Sequence, residues 1–141
     1  MVGNTDKQFG GDVDELLAGH GISPTQQRRQ IARVLFARPQ HLSAEQILER
    51  VNAEQHLVSK ATVYNTLGLF TRKGLIREVV VDPSKVFYDS NTTPHHHYFN
   101  LSTGKLSDID SDQLALSQLP TAPDGTELEG VDIIVRLRNK D

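Results

Sequence analysis

The chain has 141 residues and a mass of 15.7 kDa, with 37% apolar and 23% charged residues, the balance of a soluble globular protein of one domain or two very small ones. No apolar run approaches the 18 or so residues that a membrane-spanning helix needs, and the absence of cysteine excludes disulfides, thiolate nucleophiles, iron–sulfur clusters and Cys-type zinc sites. The net charge of −3 hides a division: residues 21–77 hold nine Lys/Arg against three acids, and residues 84–141 hold five against nine.

Met1–Gly10 is polar and lacks the apolar centre of a secretory signal, so it reads as a disordered start to a cytoplasmic protein with no membrane partner. Asp12-Val-Asp-Glu15 has the form of a capping box, and Leu16 and Leu17 open a short helix that stops at Gly19 or Gly21. Ser23-Pro24-Thr25-Gln26 predicts a second helix with Ser23 as N-cap and Pro24 at its first position; Ile31, Val34 and Leu35 give it an apolar stripe. Ser43-Ala-Glu-Gln46 is another capping box, and Ile47, Leu48 and Val51 carry a helix over 44–54. Ser59 begins a further helix whose inward face is Val63, Leu67 and Phe70, with Gly74 as its stop.

Leu75–Val81 and Val86–Tyr88, separated by the turn Asp82-Pro83-Ser84, read as a hairpin. Helices followed by a hairpin give the order of a winged helix-turn-helix. Beyond it, His95–Leu101 and Lys105–Ile109 read as a second hairpin, Ser111 as the cap of a short helix carrying Leu114 and Leu116, and Val131–Leu137 as a last strand. The expected class is α+β: disordered residues 1–10, a winged-helix DNA-binding domain over 11–89 with its wing near 75–88, and a dimerisation and metal-sensing α/β domain over 90–141 with a small antiparallel sheet. The second part is too small to be comfortable alone, which favours a homodimer.

The helix after Ser59 carries the first chemistry. Lys60, Thr62, Tyr64 and Asn65 fall on its N-terminal half, off the apolar face, where a recognition helix meets base edges. Asn pairs with adenine, and Thr or Tyr reaches a thymine methyl or a phosphate. Arg28, Arg29 and Arg33 on an earlier helix are suited to phosphates. A solvated polar face is the bland alternative, and the basic charge of residues 21–77 weighs against it. The second chemistry is His95-His96-His97. On a strand, His95 and His97 share a face, which makes half a metal site, and His96 points to the other.

The chain resembles the ferric uptake regulator (Fur) superfamily over about residues 15–141. The resemblance rests on Pro24-Thr25 with Arg28, His41-Leu-Ser-Ala-Glu45, Ala61-Thr-Val-Tyr64 with Leu67 and Phe70, Gly74-Leu-Ile76, and the His cluster followed by Gly104-Lys105. Ala61–Leu67, Phe87-Tyr-Asp-Ser-Asn91 and the triple His look most like the iron response regulator (Irr) branch, and the Tyr64-Asn65 pair also resembles the peroxide regulator (PerR) branch.

By matched position, the resemblance implies a metal site of His41, Asp89, His95, His97 and Asp108. Such a set suits Fe2+ or Mn2+, with Zn2+ or Co2+ able to substitute. Two departures stand out. The family's Cys-x-x-Cys pairs are missing, with Asn100 and Thr103 at the first, so no structural zinc of the four-cysteine type is expected. A second family site has Pro94 where it needs a His, and no His follows His97, which leaves His96 as a haem or second-site ligand, although the Cys-Pro haem motif is absent too.

The function implied is a dimeric, metal-responsive transcriptional regulator, a repressor of iron or related metal homeostasis, binding an AT-rich palindromic DNA operator. The alternatives are a haem-responsive regulator of Irr type and a peroxide sensor. A small metalloenzyme is the weakest reading, because five ligands leave a substrate little room and no nucleophile stands out.

Overall fold

The computed structural model describes residues 12–141; the disorder expected for residues 1–10 lies outside them. The chain divides into two compact units, the first ending at Thr93 and the second running from Pro94 to Asp141.

The first unit contains helices α1 (Val13–Gly19), α2 (Gln26–Phe36), α3 (Ala44–Val51) and α4 (Lys60–Arg72), with strands β1 (His41–Leu42), β2 (Arg77–Asp82) and β3 (Lys85–Asp89). Each helix starts at a polar cap. Asp12 accepts the N–H of Asp14, Thr25 that of Arg28, Ser43 that of Gln46 and Ser59 that of Thr62. The cap of α3 is reciprocal, since the Gln46 side chain takes the N–H of Ser43 at 2.9 Å. The N-cap expected at Ser23 sits instead at Thr25. The Ser23 carbonyl receives the Arg28 guanidinium at 2.8 Å, and the helix winds only from Gln26.

Gly74 ends the run after α4 with φ +76°, and the N–H of Leu75 returns to the carbonyl of Phe70 at 2.9 Å. The turn sends the chain straight into β2. Strand β3 is central in this sheet, between β1 and β2, and both pairings are antiparallel. The core below it joins Leu17, Ile31, Leu35, Ile47, Val63, Leu67, Phe70 and Leu75, all at most 2% exposed. Full burial of each such side chain is worth about 1.5–3 kcal/mol, enough to fix how α2, α3 and α4 pack.

The second unit is a sheet of order β5-β4-β6, with β4 His97–Asn100, β5 Lys105–Asp108 and β6 Ile134–Leu137. Strands β4 and β5 are antiparallel around Gly104, whose φ is +74°. Strand β6 lies parallel to β4, so the sheet is mixed and not purely antiparallel as expected. A parallel neighbour needs a long return, and residues 109–133 supply it.

That return holds no helix among the described residues, which corrects the helix expected after Ser111. The Gln113 N–H closes a single turn onto Asp110, and Pro120 and Pro123 stop anything longer from forming. No helix among the described residues is long and apolar enough to cross a membrane.

Candidate metal centre and nucleic-acid interface

Helix α4 shows the outside that its sequence pattern predicts. Val63, Thr66, Leu67 and Phe70 are buried, while Lys60, Tyr64 and Asn65 are exposed and Thr62 is half-buried. Thr62 is tied to the cap, because the Ser59 hydroxyl donates to its Oγ1 at 3.0 Å.

Tyr64 has a partner that sequence reading missed. Its hydroxyl donates to Oε2 of Glu45, in the first turn of α3, at 2.6 Å. That hydrogen bond raises the Tyr64 phenol above its ordinary pKa and is the main cause that lowers the Glu45 carboxyl below its own. The Lys60 ammonium lies 5.9 Å from the centre of the Tyr64 ring, within cation–π range. Glu45 stands nineteen residues before Tyr64, inside a capping box that already accounts for an acid in that turn, so nothing in the sequence singled it out.

Of the arginines, Arg28 is bound to the Ser23 carbonyl and Arg29 is paired with Asp14 at 2.6 Å. Arg33, Arg38 and Arg50 line an open depression of about 470 Å³ beside Gln40, whose Oε1 receives Arg50 at 2.7 Å.

The proposed metal ligands form two groups, one in each unit. In the first unit, His41 and Asp89 face each other across the β1–β3 pairing, with Nε2 of His41 3.2 Å from Oδ2 of Asp89. Asp89 is only 3% exposed, and its other oxygen accepts the N–H of Asn91 at 2.9 Å, which fixes the carboxylate plane. Strand β1 is two residues long, too short for a sequence pattern to declare, yet it alone brings His41 opposite Asp89.

In the second unit, His97 and Asp108 are cross-strand partners on β4 and β5. Nε2 of His97 and Nε2 of His95 each lie 3.4 Å from Oδ1 of Asp108, and the two imidazole centres are 4.4 Å apart. His97 is 1% exposed. Two imidazole nitrogens and a carboxylate oxygen converging this closely suit a first-row divalent ion.

His96 turns the other way, as strand alternation predicts, although β4 begins only at His97. Its Nδ1 accepts the N–H of Ile133 at 3.0 Å. In a neutral ring that bond puts the proton on Nε2. His96 fastens the approach to β6, beside the Ile133 carbonyl that receives the N–H of His97 at 3.1 Å.

A helix-turn-helix followed by a β hairpin is a winged-helix architecture, and in this chain a small sheet that carries clustered His and Asp follows it. A model of the ferric uptake regulator family matches residues 19–136, and the chain belongs to that family. It is 33% identical over 94 residues to the peroxide-responsive repressor PerR of Staphylococcus aureus (strain Mu50), a match that covers 67% of this chain and 64% of that one. The match thus spans about two thirds of the curated relative's length.

Solved structures share the fold. The ferric uptake regulator of Pseudomonas aeruginosa with manganese aligns at TM-score 0.69 and 21% identity, over 93% of this chain and 100% of that one. A zinc-bound manganese uptake regulator aligns at 0.66 and 22%, over 92% and 100%. The regulator of Francisella tularensis with iron aligns at 0.68 and 22%, over 85% and 93%.

Proposed function

We propose that this protein is a metal-responsive transcriptional repressor, not an enzyme, which binds an AT-rich palindromic DNA operator as a homodimer and answers to iron or a related metal. The observation that carries the reading is the meeting of His95, His97 and Asp108 on β4 and β5, in a chain whose α4 presents Lys60, Tyr64 and Asn65 outward. The proposed ligands of one divalent ion, Fe2+ or Mn2+ with Zn2+ or Co2+ able to replace it, are His41, Asp89, His95, His97 and Asp108. Three imidazoles and two carboxylates match those metals in softness, and each group is held together within its own unit. When bound, the ion supplies the positive charge that lets the carboxylates approach one another.

In this reading His41 and Asp89 commit the DNA-binding unit, and His95, His97 and Asp108 commit the dimerisation unit. Ligation by both sets fixes the angle at which two copies of α4 meet two half-sites. By reciprocity, DNA that favours the ligated form raises metal affinity by the same factor. Homodimerisation is supported by exposed Leu101, Leu116, Leu119, Leu128 and Val131 in the second unit, apolar side chains that a partner copy would cover.

Peroxide sensing is the second reading, favoured by the similarity to a peroxide-responsive repressor. The bond from Ile133 to His96 weighs against the haem-responsive alternative. Gel shifts on duplexes selected from a random pool, with Mn2+ and with EDTA, test the proposal. Binding that ignores both additions refutes metal control, and failure to enrich any duplex refutes DNA recognition.

A further inference from the structure

The geometry points to Glu45 as a specificity-determining residue that acts through Tyr64. By taking the phenolic hydrogen, it leaves the Tyr64 hydroxyl able to accept from DNA but not to donate to it. The inference rests on the DNA reading above and adds a residue that touches no base. Tyr64 is 41% exposed on the outward half of α4, and its hydroxyl hydrogen is directed to Oε2 of Glu45 at 2.6 Å. A phenol has one hydrogen to give. Once that hydrogen is held by a carboxylate, the hydroxyl cannot donate to a phosphate oxygen or to the N7, O6 and O4 acceptors of the major groove. It can still accept from the amino groups of adenine and cytosine, while the ring edge stays free for apolar contact.

The tether also restrains the ring. Glu45 holds the hydroxyl from α3, and the Lys60 ammonium lies 5.9 Å from the ring centre on the α4 side. The aromatic side chain therefore meets DNA with much of its rotamer freedom already lost. The altered titration of both partners agrees with a charge-assisted bond that favours the neutral phenol and the ionised carboxylate. An unbound carboxylate beside a phosphate backbone would only repel it. Bound to Tyr64, the same carboxylate removes a donor that would otherwise cling to any phosphate, so some affinity is given up for discrimination.

The test uses the full chain with Mn2+ and a duplex that the wild-type protein has enriched from a random 30-base-pair pool. The readout is the ratio of affinity for that duplex to affinity for the unselected pool. Glu45→Gln and Glu45→Ala both remove the negative charge, so both should bind the pool more tightly. Glutamine keeps an acceptor for the phenol and alanine does not.

The ratio should stay within about twofold of wild type in Glu45→Gln and fall by about threefold to tenfold in Glu45→Ala, the range for freeing one immobilised side chain. Tyr64→Phe should lower it by a similar factor, and Glu45→Ala on that background should change it no further. An equal ratio in wild type and Glu45→Ala overturns the inference while leaving the DNA reading intact, and so does a full Glu45→Ala effect in the Tyr64→Phe background. If Glu45→Ala does not fold, Tyr64→Phe beside Glu45→Gln decides: a ratio unchanged in both overturns it. A wild-type protein that enriches no duplex overturns both readings.

Discussion

Tyr88 lies on β3 next to Asp89, and its phenol is pushed up to about 12, first by burial and then by the negative charge of Glu78, its cross-strand neighbour on β2. The side chain is 8% exposed. In the unfolded chain a tyrosine ionises near 10. Between those two values the folded protein keeps a proton that the unfolded chain has lost, so rising pH favours unfolding. The contribution is fully present below about pH 10 and is lost as the pH passes through about 12. A rise of that size corresponds to about 2–3 kcal/mol, about half of which is gone by pH 11.

Tyr88→Phe removes the titrating group and leaves the ring. Urea unfolding of both proteins at pH 8, 9, 10 and 11 provides the comparison, and taking the difference between them cancels the other tyrosines and the lysines. At pH 8 the variant should sit within about 1 kcal/mol of wild type, the net worth of one hydrogen bond. The difference should then shift in the variant's favour by about 1 kcal/mol at pH 11. Parallel pH profiles for the two proteins would show that the Tyr88 phenol is not held neutral by its surroundings, and the argument from burial would fail.

Calorimetric titration with Mn2+ should show that His95→Ala and His97→Ala each weaken binding by more than about 100-fold, beyond the loss typical of an outer-shell partner, while His96→Ala binds as wild type does. Equal damage from all three would refute the reading that His96 stands apart from the ligand set. Affinity for DNA should fall steeply as salt rises from 50 to 200 mM, by about 1,000-fold if six phosphates are contacted, and a flat salt profile in gel shifts would exclude the basic residues of the 21–77 segment as the contact surface. Ser43→Ala should cost about 1 kcal/mol in urea unfolding through loss of the α3 cap. An unchanged midpoint would mean that the packing of Ile47 and Val51 alone sets that helix.

Local chemistry carried most of what the sequence revealed. Ser43 and Gln46 declared the start of α3, Ser59 that of α4 and Gly74 its stop, because each effect acts within a few residues. At Thr25 two good caps stood two positions apart, and in the structure the Thr25 hydroxyl takes the Arg28 N–H while the Arg28 guanidinium sits on the Ser23 carbonyl, contacts that no propensity encodes. The parallel setting of β6 was hidden because strand direction depends on where a 25-residue connection returns. At the site, the adjacency of His95 and His97 was visible as periodicity, and Asp108 came only from family likeness until the β4–β5 register placed it opposite His97. Strand β1 and the bond between Glu45 and Tyr64 join residues far apart in the chain, and neither leaves a local pattern.

The parallel register of β4 and β6 also sets an order of events during synthesis. The first unit has all three of its strands once Asp89 has left the ribosome, so the helix-turn-helix can close early around its own core. Strand β4 pairs with β5 soon afterwards, but its other edge waits for Ile134–Leu137. Until then His97 lacks the carbonyl of Ile133 that holds its backbone, and His96 lacks the amide that holds its ring. A nascent chain would therefore complete α4 well before the buried His97 imidazole is locked, and under the proposed function the metal response would mature last.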